Sequence, residues 1–165
     1  MAELHHECGI AGIYHLPTGS SSLAPSPDDV TPLLPRMLLD LQNRGQLAAG
    51  ISTYEPDRLE LITTYKEVGS VIEAFRLNHR PKFDAIMRRC AGRAGIGHVR
   101  YATCGKDDKS YAQPMERQHG CKWKWFSFAF NGQLANYSEL ADELLRKEDY
   151  HLVRDTDTDV IMHYI

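Results

Sequence analysis

The sequence has few cysteines, and their spacing excludes the two commonest motifs that cysteines build. The four cysteines are Cys8, Cys90, Cys104 and Cys121. No pair has the C-x-x-C spacing of a structural zinc site or of a thioredoxin-like redox motif. We therefore expect reduced thiols, as in a cytoplasmic protein.

Long hydrophobic runs and targeting signals are also missing from the sequence. The most apolar stretch, residues 33–41, is interrupted by Pro35, Arg36 and Asp40 and is far shorter than the roughly 20 apolar residues that cross a bilayer. Residues 1–7 are polar and acidic, without the basic and apolar regions of a secretory signal. The sequence therefore predicts a protein that does not enter a membrane.

An excess of positive charge is missing as well. The formal net charge is -3 with 25% charged residues, which argues against nucleic acid or an anionic membrane as a partner. The one basic aromatic stretch, residues 122–125, alternates as a strand does and is too small to bind nucleic acid. With 42% hydrophobic residues over 165 positions, the chain can form one globular domain, and we expect a small substrate.

Hydrophobic periodicity predicts strands and helices in an irregular order. Strands are predicted at residues 10–16, 48–54, 59–65, 95–101 and 123–130, and the last of these follows a polar loop at 106–118. Helices are predicted at 31–45, 68–77, 83–90, 137–147 and 158–165. This order is not the regular alternation of a parallel α/β fold, so we expect a layered α+β domain. Because the sequence stops on an apolar run with no capping signal, we also expect the domain to be C-terminally incomplete.

Cys8 lies just before the first predicted strand and is open to two interpretations. A cysteine thiol, with an ordinary pKa of about 8.5, needs a base or a positive neighbour, and neither Lys nor Arg adjoins Cys8. If the chain were cut between Glu7 and Cys8, the freed α-amine, with an ordinary pKa of about 8, could act as that base. Alternatively, Cys8 is a small apolar core residue, as most buried cysteines are.

Four further segments place polar residues beside apolar strand or helix sequence, as a preformed site at strand ends requires. They are residues 41–46 (Leu-Gln-Asn-Arg-Gly-Gln), 95–103 (Gly-Ile-Gly-His-Val-Arg-Tyr-Ala-Thr), 131–136 (Asn-Gly-Gln-Leu-Ala-Asn) and 155–159 (Asp-Thr-Asp-Thr-Asp). Together with Cys8-Gly9-Ile10, and in this order, they closely resemble the class II glutamine amidotransferases, whose glutaminase domain uses an N-terminal cysteine nucleophile. The forms Arg-Gly-Gln and His-x-Arg-Tyr-x-Thr are most similar to the members that begin purine synthesis.

The resemblance implies the fold of the N-terminal nucleophile (Ntn) hydrolases. This fold is a four-layer αββα sandwich of two antiparallel sheets, with the catalytic cysteine at the start of a central strand. The resemblance also implies that residues 1–7 are a propeptide, removed to expose Cys8, and that residues 8–165 form the glutaminase domain. We expect no metal or cofactor in this domain.

The same resemblance assigns the catalytic roles to Cys8, Asn131 and Gly132. Asn131 and Gly132 match the family's oxyanion hole, in which a side-chain amide and a backbone N–H stabilise the negative oxygen of a tetrahedral intermediate. Loss of one such donor typically costs about 3 to 4 kcal/mol of transition-state stabilisation. Read locally, the Asn-Gly pair is instead a favourable turn.

Glutamine binding is assigned to Arg100, Tyr101, Thr103 and Asp157. The planar guanidinium of Arg100 suits the α-carboxylate of glutamine, and the alternative is a surface arginine at a strand end. The carboxylate of Asp157 would hold the α-ammonium group, and the alternative is that the aspartates of residues 155–159 cap a helix. Tyr101 and Thr103 are expected to line the glutamine pocket.

Two residues are expected to support the site, and one departs from the family pattern. His98 is expected to support Arg100 from inside the fold, as a lone histidine usually does. Arg44 matches the family's arginine near the nucleophile. Leu47 stands where the family commonly has an acidic residue, a change that could alter how the amino terminus is oriented.

The resemblance further implies an acceptor for the ammonia that is released. The most similar members pass ammonia to phosphoribosyl pyrophosphate in a phosphoribosyltransferase domain that uses Mg²⁺, and we expect a homo-oligomer at full length. No acidic pair followed by a glycine- and threonine-rich phosphate loop occurs in these 165 residues, so we expect that domain to be missing. Two alternatives remain: the glutaminase domain of another member of the class, such as glucosamine-6-phosphate synthase, or a non-catalytic glutamine-binding or interaction module.

Overall fold

The computed structural model describes residues 8–16, 29–101, 108–147 and 151–165. The chain divides into two compact units, Met1–Ala129 and Phe130–Ile165, each with its own apolar cluster. Thr103 and the predicted propeptide, residues 1–7, lie outside the described residues.

The first unit is built on a four-stranded antiparallel sheet. Its strands are β1 (Gly9–Tyr14), β2 (Ala48–Tyr54), β3 (Ile62–Val68) and β4 (Ala94–Arg100), in the order β1-β4-β2-β3. Strand β4 therefore lies between β1 and β2, with Val99 opposite Gly9 on one side and Arg100 opposite Ala48 on the other. The start of β1 is thus brought to the end of β4.

The hairpin formed by β2 and β3 has a longer turn than the sequence predicts. The backbone N–H of Glu55 donates to the carbonyl of Leu61 at 2.9 Å, which delays the second strand until Ile62. The predicted start at residue 59 is therefore wrong, while the hairpin itself is confirmed.

Helix α1 (Leu34–Asp40) covers one face of this sheet and contacts β1 and β4. The side chains of Leu34 and Leu38 are fully buried. A Cβ atom at Gly95 would lie 2.7 Å from Cδ1 of Leu34, and one at Gly97 would lie 3.0 Å from Cδ1 of Leu38. The two glycines of β4 are therefore what allows the helix to approach the sheet so closely.

Two more helices follow β3, and local capping sets their limits. Helix α2 (Val71–Ala74) begins at a capping box in which Ser70 and Glu73 exchange hydrogen bonds, after Gly69 in a left-handed conformation. Helix α3 (Arg80–Arg89) is capped at its N-terminus by His79, whose side chain accepts from the N–H of Lys82. The helix predicted at 68–77 is thus shorter than expected, and the helix predicted at 83–90 begins earlier.

A second antiparallel sheet contains β5 (Met115–Arg117) and β6 (Phe126–Phe128). Strand β5 falls in the predicted polar loop and was missed. The predicted strand at 123–130 is too long, because residues 122–124 form a 3-10 helix. The Nζ of Lys66, on β3, donates to the carbonyl of Ala112 at 2.7 Å and so ties the approach to β5 to the first sheet.

The second unit contains helices α4 (Tyr137–Leu145) and α5 (Asp157–Tyr164). They pack together through Ala141, Leu144 and Val160. Both helices were predicted to within two residues. The combination of antiparallel sheets and helices confirms the α+β prediction. Within the described residues, no helix has the length and apolar character that crossing a membrane requires.

The contact between α1 and β4 predicts a large loss of stability when Leu38 is shortened. Leu38→Ala would leave a cavity above Gly97, and we expect the free energy of unfolding to fall by about 3 kcal/mol. Urea denaturation followed by circular dichroism measures this change. Leu59→Ala is the matched control, because Leu59 is 83% exposed, and it should change stability by less than about 0.5 kcal/mol. Equal effects of the two substitutions would contradict the assigned packing.

Candidate active site

Cys8 immediately precedes β1, and two groups of the first unit hold it. Its Sγ atom lies 3.4 Å from the backbone nitrogen of Tyr101, which donates to it, and 3.6 Å from the Tyr101 carbonyl oxygen. Its own carbonyl accepts a hydrogen bond from Nε of Arg44 at 3.1 Å. The residue is half-buried, so its sulfur is not sealed inside the apolar core.

The pairing of β1 with β4 explains why Cys8 and Arg100 lie close together. Gly9 is opposite Val99, and the same antiparallel register continued by one residue puts Cys8 opposite Arg100. Side chains alternate along a strand, so Arg100 and His98 point away from the face that α1 covers. The first unit therefore brings together four predicted site residues, namely Cys8, Arg44, Arg100 and Tyr101.

Arg100 is buried, and its guanidinium group lies over an aromatic ring. Its side chain is 7% exposed, and its guanidinium carbon lies 5.4 Å from the ring centroid of Tyr111, within the range of a cation–π contact. His98, on the same face, is fully buried, which fits the predicted supporting role without testing it. Tyr111 was missed by sequence reasoning, because it lies in a polar segment with no hydrophobic period.

The segment after α1 contacts both Cys8 and Arg100. Arg44 closes a short 3-10 helix, Gln42–Arg44, and reaches Cys8 as described. Three residues later the N–H of Leu47 donates to the carbonyl of Arg100 at 3.1 Å. Leu47 makes this contact through its backbone, so the contact does not depend on the side chain that departs from the family pattern.

The second unit brings the segment after Asn131 and Gly132 close to Asp157. The backbone N–H of Leu134 donates to Oδ2 of Asp157 at 3.2 Å. Asn131 and Gly132 are both exposed. Asn131 and Gly132, the predicted oxyanion hole, are thus linked to Asp157, the predicted ammonium ligand, through two residues of chain and one hydrogen bond.

The three neighbouring aspartates have three different partners. Asp155 accepts a hydrogen bond from the hydroxyl of Tyr137, and burial together with this bond raises the pKa of Tyr137 to about 12. Asp159 forms an ion pair with Arg154 at 3.2 Å. The N-cap of α5 is Thr156, whose Oγ1 accepts from the N–H of Asp159. Helix capping therefore falls to a threonine and does not occupy the carboxylate of Asp157.

Two other cysteines differ sharply from each other and neither lies in this site. Cys90 is fully buried, and this burial raises the pKa of its thiol to about 11. Cys121 is exposed. Over residues 8–16, 29–101, 108–147 and 151–165, no group of three or more His, Cys, Asp or Glu side chains is arranged to hold a metal ion.

A cavity of about 550 Å³ occurs at the far end of the sheet from Cys8. It lies between the end of β1, the start of β4 and the segment around β6, and its lining includes Tyr14, Ile96 and Trp125. Because neither Cys8 nor Arg100 lines it, the size of this cavity does not bear on the candidate site.

In a comparison with known protein families, residues 60–165 match the family described as glutamine amidotransferase domain. Amidophosphoribosyltransferase of Archaeoglobus fulgidus is 37% identical over 154 residues, which cover 93% of this chain and 29% of that protein. The same enzyme of Pseudomonas aeruginosa is 35% identical, with 94% and 26% covered. The human enzyme is 33% identical, with 87% and 25% covered. The chain thus spans between a quarter and three tenths of the length of these relatives.

Two solved structures resemble the whole described fold. One is glutamine phosphoribosylpyrophosphate amidotransferase from B. subtilis complexed with ADP and GMP, with a TM-score of 0.70 and 25% identity over 93% of this chain and 28% of that one. The other is described as the allosteric regulatory enzyme of purine biosynthesis, with a TM-score of 0.68 and 26% identity over 95% and 28%. These matches confirm the predicted sandwich fold with two antiparallel sheets.

The environments of Cys90 and Cys121 predict opposite reactivities toward a thiol reagent. Only the thiolate reacts, and burial disfavours it at Cys90. At pH 8 we expect iodoacetamide to modify Cys90 at least about tenfold more slowly than Cys121, and labelling of Cys90 to keep rising as the pH approaches 11. Peptide mapping by mass spectrometry measures both rates in one sample. Similar rates at pH 8 would show that Cys90 is not buried as described.

Proposed function

The chain belongs to the glutamine amidotransferase family, and we propose that it performs the glutaminase half of an amidotransferase reaction. In this reaction the side-chain amide of glutamine is cleaved through a cysteinyl thioester, which yields glutamate and ammonia. The observation that carries the proposal is the grouping of Cys8 with Arg44, Arg100 and Tyr101 at one end of the sheet.

The proposed nucleophile needs the removal of residues 1–7. In an intact chain the nitrogen of Cys8 is a peptide amide without useful basicity. After cleavage it becomes an α-amine on the same residue as the sulfur, so one residue supplies both base and nucleophile. The hydrogen bond from Arg44 to the Cys8 carbonyl supports this role, since it would hold the new terminus in place.

The first chemical step is attack of sulfur on the side-chain carbonyl carbon of glutamine. The α-amine of Cys8 takes the thiol proton as the new C–S bond forms, and the carbonyl oxygen becomes negative. The side-chain amide of Asn131 and the N–H of Gly132 donate to that oxygen. The exposure of both residues supports this role, because a substrate can reach them.

Collapse of the intermediate then breaks the C–N bond. The ammonium form of the Cys8 α-amine returns its proton to the leaving nitrogen, which departs as ammonia. A γ-glutamyl thioester remains on Cys8. Water, deprotonated by the same α-amine, attacks the thioester, and glutamate leaves as the thiol is regenerated.

Binding of free glutamine is proposed to use one ionic contact at each end of its amino acid group. Arg100 would pair with the α-carboxylate, and Asp157 with the α-ammonium group. The guanidinium of Arg100 is already fixed near Tyr111, which limits the conformational entropy lost on binding. Tyr101, which is 41% exposed, would contact the substrate beside Cys8. Thr103 is proposed as a further contact from the family pattern alone.

The ammonia acceptor is proposed to be phosphoribosyl pyrophosphate, which would be converted to 5-phosphoribosylamine. The names of the relatives support this choice over glucosamine-6-phosphate synthase. The acceptor and its Mg²⁺ would be bound by a phosphoribosyltransferase domain, in the part of the relatives that this chain does not match. We further propose that the glutaminase reaction needs no metal, that the protein acts in the cytoplasm and that the complete enzyme is a homo-oligomer.

The proposed cleavage between Glu7 and Cys8 predicts that only the cleaved protein has glutaminase activity. Protein that retains residues 1–7 should release almost no ammonia from glutamine, while protein that begins at Cys8 should be active, because only the latter has the α-amine. Intact-mass measurement paired with an ammonia assay checks this. Cys8→Ala in the processed form should be inactive. Strong turnover by protein that retains Glu7 would contradict the mechanism, and glutamine binding without turnover after confirmed processing would favour a non-catalytic module.

Loss of the proposed oxyanion donor predicts a fall in kcat with little change in KM. Asn131→Ala in the processed protein should lower kcat by roughly 100-fold to 1,000-fold, because the donor acts on the tetrahedral intermediate rather than on bound glutamine. Steady-state kinetics of glutamate formation measure both constants. Asn136→Ala is the control, since Asn136 makes no side-chain capping bond at the start of α4. A rise in KM with kcat unchanged would contradict this role and show that Asn131 contributes to glutamine binding instead.

A further inference from the structure

Gly45 has a conformation that any residue could adopt but no room for a side chain. Its φ of -165° and ψ of 133° are those of extended backbone. A Cβ atom built on it would lie 2.4 Å from the carbonyl carbon of Arg100, 2.7 Å from its oxygen and 2.7 Å from the nitrogen of Tyr101. All three are backbone atoms of one peptide group, so the side-chain rotations that usually relieve a clash cannot relieve this one.

The peptide group between Arg100 and Tyr101 is also the one that contacts the sulfur of Cys8. Its N–H donates to Sγ at 3.4 Å. Its carbonyl accepts from the N–H of Leu47 at 3.1 Å. The segment 44–47 therefore contacts the site at three successive points: Arg44 bonds to the Cys8 carbonyl, Gly45 lies against the peptide group, and Leu47 bonds to it.

We propose that Gly45 is a positioning residue, whose missing side chain lets segment 44–47 lie against the Arg100–Tyr101 peptide group and fix the place from which its N–H contacts the sulfur of Cys8. The contact itself is independent of turnover, while its consequence for catalysis rests on the proposed glutaminase function. A methyl group at position 45 must push the peptide group away or displace the segment. The first change moves the Tyr101 N–H out of its present contact with the sulfur, and the second breaks the hydrogen bond from Leu47.

The test compares Gly45→Ala with Gly92→Ala in the full chain. A Cβ atom at Gly92 would lie 2.8 Å from the carbonyl oxygen of Tyr54, so this control creates a similar backbone clash at a place that has no contact with Cys8. Iodoacetamide labelling at pH 7.5, followed by peptide mapping, gives the rate at Cys8 relative to the exposed Cys121 in the same sample. Thermal melts show how far each substitution lowers stability.

Gly45→Ala should slow the relative labelling of Cys8 by about threefold to tenfold, because the Tyr101 N–H no longer holds the sulfur in its present place. Gly92→Ala should lower the Tm but leave the ratio unchanged. Leu47→Ala, which keeps the backbone N–H, should also leave the ratio unchanged. An unchanged or faster ratio in Gly45→Ala, or an equal slowing in Gly92→Ala, would overturn the proposal.

A second measurement decides the matter if Gly45→Ala does not fold. In the unsubstituted chain, the amides of Leu47 and Tyr101 should exchange with solvent at least about tenfold more slowly than the amide of Gly120, around which a Cβ atom would meet nothing within 4 Å. Fast exchange of the Tyr101 amide would overturn the proposal. Neither labelling nor exchange needs glutaminase activity, so failure of the proposed function would leave both results interpretable.

In processed protein, the positioning role predicts which kinetic constant responds. Gly45→Ala should lower kcat for glutamine hydrolysis while KM stays within about twofold, since the displaced group contacts the nucleophile and not the proposed carboxylate and ammonium ligands. Slowed labelling with an inactive unsubstituted enzyme would keep the positioning inference and reject the glutaminase. Normal kcat in Gly45→Ala, with an active unsubstituted enzyme, would reject the positioning inference alone.

Discussion

The antiparallel pairing of β1 with β4 is the constraint on which the candidate site of the first unit depends. This register puts Val99 opposite Gly9, and a slip by one residue would turn Arg100 toward helix α1 and away from Cys8. Helix α1 opposes such a slip, because only glycines at positions 95 and 97 leave room for Leu34 and Leu38. Core packing on one face of the sheet thus determines which side chain of β4 lies beside Cys8 on the other face.

The parts of the structure that were predictable from sequence are those encoded by neighbouring residues. Helices α4 and α5 follow from apolar spacing over eight or nine residues, and the four candidate site residues of the first unit follow from the family motifs. Strand β5 was not predictable, because three residues carry no period. Neither was the close contact of Gly45 with the Arg100–Tyr101 peptide group, since the dihedral angles of Gly45 are ordinary and its partner lies 55 positions away.

The aspartates of residues 155–159 show the same limit at a finer scale. From sequence alone, these aspartates could cap a helix, and Asp157 could instead hold an ammonium group. Their partners come from outside the motif: Tyr137 from the preceding helix for Asp155, the backbone of Leu134 for Asp157, and Arg154 for Asp159. The sequence indicates that a carboxylate is available here, whereas the fold determines which one remains near Asn131 and Gly132.

The contacts of Cys8 suit a residue that supplies both base and nucleophile. In a catalytic pair built from two side chains, each must be oriented separately, and each loses conformational entropy of its own. In Cys8 the sulfur, the nitrogen and the carbonyl carbon are joined through one Cα atom. The Arg44 hydrogen bond to the carbonyl and the Tyr101 contact with the sulfur therefore restrict the nitrogen as well. Cys90 is fully buried, and this burial raises the pKa of its thiol, which suits a packing role. The two cysteines thus differ in burial and in the contact that the Tyr101 N–H makes with the sulfur of Cys8.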